Sequence, residues 1–209
     1  SMKKIILVLI SALFMVCAAT AETFDSVCAS LSKHPNMTGD FTQVKTISAV
    51  NRNMRSSGTF IFSLEGIMWK TEKPFPSTMV VGMTSVIQTL ANGKQTVIDA
   101  SSNQIFTSIS TTLSAMFSGN AETLKRNFNV KFSENGGLWK ALLTPMDESV
   151  AKILTSLEIG GSCTASFADL NSIVMSEATG AKITYSFINQ KYKQTQHKRK
   201  TKFQKHVYR

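Results

Sequence analysis

Side chains able to do acid–base, nucleophilic or metal chemistry are few in this sequence and poorly spaced for it. Before residue 191 there is a single histidine, His34, set against Pro35 in what reads as a loop, where a lone imidazole is normally solvated. Asp147-Glu148 is the one adjacent acid pair, and it stands where a helix N-terminus favours negative charge. Asp99 and Asp169 are isolated. No HExxH, CxxC, GxSxG, GxGxxG or P-loop pattern occurs. Metal ligation needs several His, Cys or acidic groups converging, and the inventory is thin. No catalytic residue, metal ligand or cofactor is assigned, and a secreted hydrolase finds no support. What the sequence offers instead is apolar contact, concentrated between Gly58 and Pro76 in GTFIFSLEGIMWKTEKPFP.

In that stretch Phe60, Phe62 and Leu64 alternate with Thr59, Ile61 and Ser63, the period of a strand with one buried face. Glu65-Gly66 supplies a turn, since glycine accepts positive φ without a Cβ clash. Ile67, Trp69 and Thr71 continue as a second strand until Pro74 and Pro76 stop it. The hairpin carries aromatic residues on one face, to meet either a core or an apolar ligand.

The rest of the chain has to position that hairpin. Thr23 can cap a helix to about Lys33, with Phe24, Val27, Cys28 and Leu31 on one face. Strands are predicted over 39–48, 78–83 and 85–90, and over 95–98 after the turn signal Asn92-Gly93. The period then changes. Ile105, Phe106, Ile109, Leu113, Met116 and Phe117 recur at helical spacing over 103–117, opposite a serine and threonine face that includes Ser110, with small-residue hinges at 100–102 and Gly119-Asn120. A short helix at 121–126 follows, then strands at 128–133 and 138–144. A helical turn after Asp147 comes next, then strands at 153–159, 164–175 and 182–188. The pattern predicts an α+β fold, mostly antiparallel β, as a curved sheet or incomplete barrel with a helical lid. A domain whose helix merely completes the core satisfies the same periodicity. Met68, Met79, Met83 and Met116 fall on the hairpin, its neighbouring strand and the inserted helix, and methionine suits adaptable apolar surfaces.

Met2 to Ala21 has the form of a secretory signal: Lys3 and Lys4, an apolar run from Ile5 to Val16, and small residues at Ala19-Thr20-Ala21. The run is too short to span a bilayer, which needs about 20 residues. Cys17 could mark a lipoprotein, but Phe14-Met15-Val16 lack the small residue that cleavage before an acylated cysteine prefers. The net charge of +10 is confined to the ends. Lys3, Lys4 and the eight Lys or Arg beyond residue 190 account for all of it, so residues 22–190 form a formally neutral domain with no sign of nucleic-acid binding. The basic segment 191–209 reads as a disordered solvated tail or as an attraction to anionic lipid headgroups. Cys28 and Cys163 could pair in an oxidising compartment.

The order of short helix, F-x-Q strand (Phe41, Gln43), G-x-F (Gly58, Phe60), G-I-x-W (Gly66 to Trp69) and P-F (Pro74, Phe75) resembles the LolA family of lipoprotein carriers. The likeness runs from about Phe24 to Ile188 and is most specific in the first half. It implies an incomplete antiparallel β-barrel of the LolA/LolB kind, closed by helices, acting as a monomer in the periplasm. Its hydrophobic cavity would take the acyl chains of lipoproteins or other lipids toward the outer membrane, between inner-membrane donor and outer-membrane acceptor proteins. The cavity side chains would be Phe60, Phe62, Leu64, Ile67, Met68, Trp69, Met79, Val81 and Met83. The lid would supply Ile105, Phe106, Ile109, Leu113, Met116 and Phe117. Classical carriers place an arginine that couples the lid to cargo release where this chain has Ser63-Leu64-Glu65-Gly66, a departure shared with a divergent branch. The same fold could also serve as a non-transport module that senses lipid or binds a protein.

Overall fold

The chain enters its fold through a capping box. Thr23 Oγ1 accepts from the Ser26 N–H at 3.1 Å and Ser26 Oγ accepts from the Thr23 N–H at 2.8 Å. The helix it starts, α1 (Phe24–Leu31), buries Phe24, Val27, Cys28 and Leu31 on one side. The computed structural model describes residues 21–82, 84–99 and 104–193, without the side chains of 104–106. The signal segment through residue 20, Met83, the hinge at 100–102 and residues 194–209 therefore lie outside the described residues. None of the helices among the described residues is long and apolar enough to cross a membrane.

Among the described residues, eleven strands make one antiparallel sheet. They are β1 (Asn36–Ile47), β2 (Arg52–Ser63), β3 (Gly66–Lys73), β4 (Ser77–Val81), β5 (Ser85–Leu90), β6 (Gln95–Asp99), β7 (Phe128–Asn135), β8 (Leu138–Pro145), β9 (Leu154–Ser162), β10 (Ser172–Glu177) and β11 (Ala181–Lys193). Their order is β6-β5-β4-β3-β2-β1-β11-β10-β9-β8-β7, so two meanders are joined where β1 pairs with β11, and the sheet stays open at β6 and β7. Helices α2 (Gln104–Phe117) and α3 (Ala121–Asn127) connect the two meanders. The four-residue α4 (Glu148–Ala151) is capped by Asp147, whose carboxylate accepts from the Ser149 and Val150 N–H groups. The expected Asn92-Gly93 turn forms, with Gly93 at φ +81° and Asn92 Oδ1 accepting from the Lys94 N–H.

Three sequence expectations change. Residues 164–175 do not form one strand. Only Ser172–Glu177 becomes a strand, β10; before it Ala168 makes an isolated bridge with Cys163, and Asp169 and Asn171 turn their side chains onto backbone, accepting from the N–H groups of Leu170 and Ser162 at 2.8 and 2.9 Å. The first hairpin turns at Leu64-Glu65 rather than Glu65-Gly66. Gly66, at φ +149°, is already the first residue of β3 and occupies a conformation that L side chains rarely adopt.

The domain also does not stop at residue 190. β11 takes in Lys191, Tyr192 and Lys193, which pair with Thr38, Met37 and Asn36. Tyr192 explains the extension. Its ring lies 5.7 Å from that of Phe167 and 6.0 Å from that of His34. Its hydroxyl donates to Asp169 Oδ1, and burial together with that carboxylate pushes the phenol pKa up. Tyr192→Phe should lower stability by about 1–2 kcal/mol, the typical worth of such a hydrogen bond. A urea midpoint shift at constant m-value would show it, and an unchanged midpoint would leave ring packing alone to pin the strand.

The two cysteines are not joined. Cys28 lies fully buried on α1 and Cys163 sits just past β9, and both are free thiols. Burial first, and Asp25 second, push the Cys28 thiol pKa up to about 12, so it stays protonated and inert at neutral pH.

Candidate functional site

Cross-strand register decides which side chains share a face of this sheet. One row carries Met37, Phe62, Ile67, Val81, Val86 and Ile98 straight across β1 to β6. The next row on the same face holds Gly39, Phe60, Trp69, Met79, Gln88 and Thr96. From β11 the face continues through Tyr185 to Ile173, Ile159 and Ala141, and through Ile183 to Met175, Leu157 and Leu143. Nearly all of these apolar side chains belong to one contiguous buried cluster with α1, α2 and α3. This inner face is the candidate site.

Its floor is aromatic. Trp69 lies 5.1 Å from Phe41, edge-on, and 4.8 Å from Tyr185, while Phe60 lies 4.9 Å from Phe187 (all ring-centroid distances). Two glycines make the arrangement feasible. A Cβ at Gly39 would meet the Phe60 ring and the Ile188 carbonyl at 2.9 Å. A Cβ at Gly58 would sit 1.9 Å from the Lys70 carbonyl oxygen, beside a bulge where Ser57 pairs with Lys73 and Gly58 with Thr71. The G-x-F motif thus reflects a close backbone approach beneath the rings. Burial pushes the Tyr185 phenol pKa up, so the floor carries no charge from it at neutral pH.

Helix α2 covers the first row. The Phe117 ring lies 4.7 Å from that of Phe62, and Ser114 Oγ donates to the Leu64 carbonyl at 3.3 Å. Ile109, Leu113 and Met116 are buried on the same side. The helix packs against α1 and α3 as well as β3 and β4, so it is enclosed on more than one flank. That placement buries Ser110 and Thr112, whose hydroxyls have no hydrogen-bond partner among the described residues. Lys125 Nζ, at 2.9 and 3.0 Å from the Asp25 carboxylate oxygens, ties α3 to α1 across the surface. An exposed pair of that kind contributes little to stability.

Of the side chains singled out from sequence, the structure brings together Phe60, Phe62, Ile67, Trp69, Met79 and Val81 from the sheet and Ile109, Leu113, Met116 and Phe117 from α2. Two do not join them. Leu64 occupies the hairpin turn and is 43% exposed. Met68 points to the outer face, where Ile61, Val80 and Ile87 form a separate small cluster with it, because strand parity sets it opposite Ile67 and Trp69. Ile105 and Phe106 lie on α2 by backbone, but their side chains, like Met83, fall outside the described residues. Met37, Phe41, Val86, Tyr185 and Phe187 complete the face and were not singled out as site residues. The alternation of Tyr185 and Phe187 within the last strand was the available signal.

Solved structures are similar to this chain at very low identity. A putative outer membrane lipoprotein-sorting protein domain from Vibrio parahaemolyticus superposes with a TM-score of 0.50 at 6% identity, covering 88% of this chain and 97% of that one. A LolA superfamily protein from Nitrosomonas europaea gives a TM-score of 0.44 at 8% identity, over 84% of this chain and 96% of its own. No curated protein sequence matches. The model of the outer membrane lipoprotein carrier protein LolA family matches residues 32–204, most of the chain and past the end of β11, and the chain therefore belongs to the LolA family.

Proposed function

We propose that this protein is a periplasmic carrier that takes up the acyl chains of lipoproteins or other lipids on its inner face and moves them toward the outer membrane. The observation that carries this reading is the continuous apolar inner face covered by helices: an aromatic floor across β1, β2, β3 and β11, with helix α2 laid over its apolar row. The family supports the same direction. A carrier of this kind needs no bond-making chemistry. Each buried methylene is worth about 0.8 kcal/mol, so an acyl chain does not cross water alone, and a protein that covers it supplies the passage. Because α2 packs directly on Phe62, uptake requires α2 to lift.

That close packing also fits the second reading, a module of the same fold with a filled core that binds a partner protein or senses lipid. Native mass spectrometry of the protein purified from its own periplasm separates the two. The carrier reading expects co-purifying lipid or acylated peptide. A protein that is empty in every preparation, and that takes up no lipid when offered vesicles, would sink it in favour of the module.

A further inference from the structure

A purely hydrocarbon ligand leaves part of the inner face unused. Along β1 the inward residues are Met37, Gly39 and Phe41, then Gln43 and Lys45. Along β2 they are Phe62, Phe60 and Gly58, then Ser56 opposite Gln43 and Met54 opposite Lys45. The face is apolar beneath α2 and gains polar groups, Gln43, Ser56 and Lys45 among apolar neighbours, toward the β1–β2 connection. There Gln43 Oε1 accepts from Ser56 Oγ at 3.2 Å, a bond that does not use the two N–H donors of the Gln43 amide. Lys45 Nζ lies 3.4 Å from Glu177 Oε1, with side-chain exposures of 31% and 10%. Glu177 also accepts from Thr179 Oγ1 at 3.1 Å. One long contact leaves an ammonium with most of its three donors available. Polar groups set against bare hydrocarbon are costly, whereas an acceptor oxygen satisfies them.

We propose that the inner face holds its ligand in one direction. The acyl chain lies on the row beneath α2 and on the aromatic floor, and an oxygen-bearing head, carboxylate or ester carbonyl, accepts hydrogen bonds from Gln43 Nε2 and Lys45 Nζ. The inference rests on the carrier reading and adds a head-group subsite and a polarity to it. The span fits. Met37 to Lys45 is eight residue steps along the strand, roughly 26 Å at about 3.3 Å each, the scale of a long acyl chain with its head. Gln43 and Lys45 are on one face of one strand, so both donors reach the same head.

The test uses the mature protein and three probes of equal chain length: palmitate, methyl palmitate and hexadecane, each displacing a bound fluorescent apolar dye. The wild type should bind both head-bearing probes more tightly than hexadecane. Q43L combined with K45M and E177Q, which strands no charge, should lose about tenfold or more for palmitate and several-fold for the ester, with hexadecane unchanged. Lys45→Arg should keep most of the palmitate affinity. Equal wild-type affinity for all three probes, a comparison that needs no variant to fold, would overturn the direction while leaving the carrier reading in place. So would a variant that weakens all three alike. If none of the three binds the wild type, the carrier reading fails and the subsite falls with it.

Discussion

Alanine at Trp69 or at Phe62 should lower stability by about 3–5 kcal/mol and also weaken apolar binding per folded molecule. Both side chains are almost wholly enclosed, at 5% and 1% exposure, and each has close ring neighbours whose contacts would be lost. The stability loss follows from the closed arrangement alone. The binding loss follows only if the same surface meets an acyl chain after α2 lifts, which makes the second measurement the discriminating one. Met68→Ala is the matched control. It removes a buried apolar side chain from the outer face, among Ile61, Val80 and Ile87, and should lower stability by about 2–3 kcal/mol with binding per folded molecule intact. Urea titration gives the first quantity and dye binding in low urea, normalised to the folded fraction, gives the second. If Trp69→Ala and Phe62→Ala behave as Met68→Ala does, the inner face is core alone and the carrier reading loses its site.

That control also shows where the sequence was legible and where it was misread. The hairpin can be read locally, because Phe60 and Phe62 alternate, Trp69 follows two residues after Ile67, and Pro74 ends the run. The same parity sets Met68 on the other face; the adaptable chemistry of methionine suggested a lining role that strand geometry excludes. Leu64 continued the alternation by count, but the chain reverses at Leu64-Glu65, one residue earlier than a turn at Glu65-Gly66 would place it. Tyr185 and Phe187 join the floor only because β11 pairs with β1, a contact between the two ends of the domain that no local period reveals. Tyr192 shows the same limit. In sequence it sits within a basic run, and its burial comes from Phe167 and His34, distant residues that the sheet brings to it. The sequence sets a serine and threonine face that includes Ser110 opposite the apolar side of α2. Its packing against α1 and α3 encloses Ser110 and Thr112, which helical periodicity alone could not anticipate.

Those two hydroxyls carry the second large prediction. An enclosed hydroxyl without a partner costs about 1–3 kcal/mol relative to its state in water, so the closed position of α2 is destabilised by both groups, at 2% and 1% exposure. When the helix lifts, water satisfies them, and the closed state loses less by opening than an apolar helix would. Ser110→Ala and Thr112→Val remove the penalty and keep the volume nearly constant. Each should stabilise the closed form by about 1–3 kcal/mol, and exposure of the new methyl groups in the open form acts in the same direction. Since 1.4 kcal/mol is a factor of about ten in an equilibrium constant, the double variant should populate the open form at least tenfold less. Hydrogen exchange over 104–117 should slow accordingly, with β2 and β3 unaffected, and uptake of a fluorescent fatty acid should slow in proportion if opening limits it. The opposite outcome is equally readable. A double variant with a higher melting temperature but unchanged exchange in α2 and unchanged uptake would mean that the helix does not open to admit ligand, and entry would have to be sought at the open sheet edges, β6 and β7.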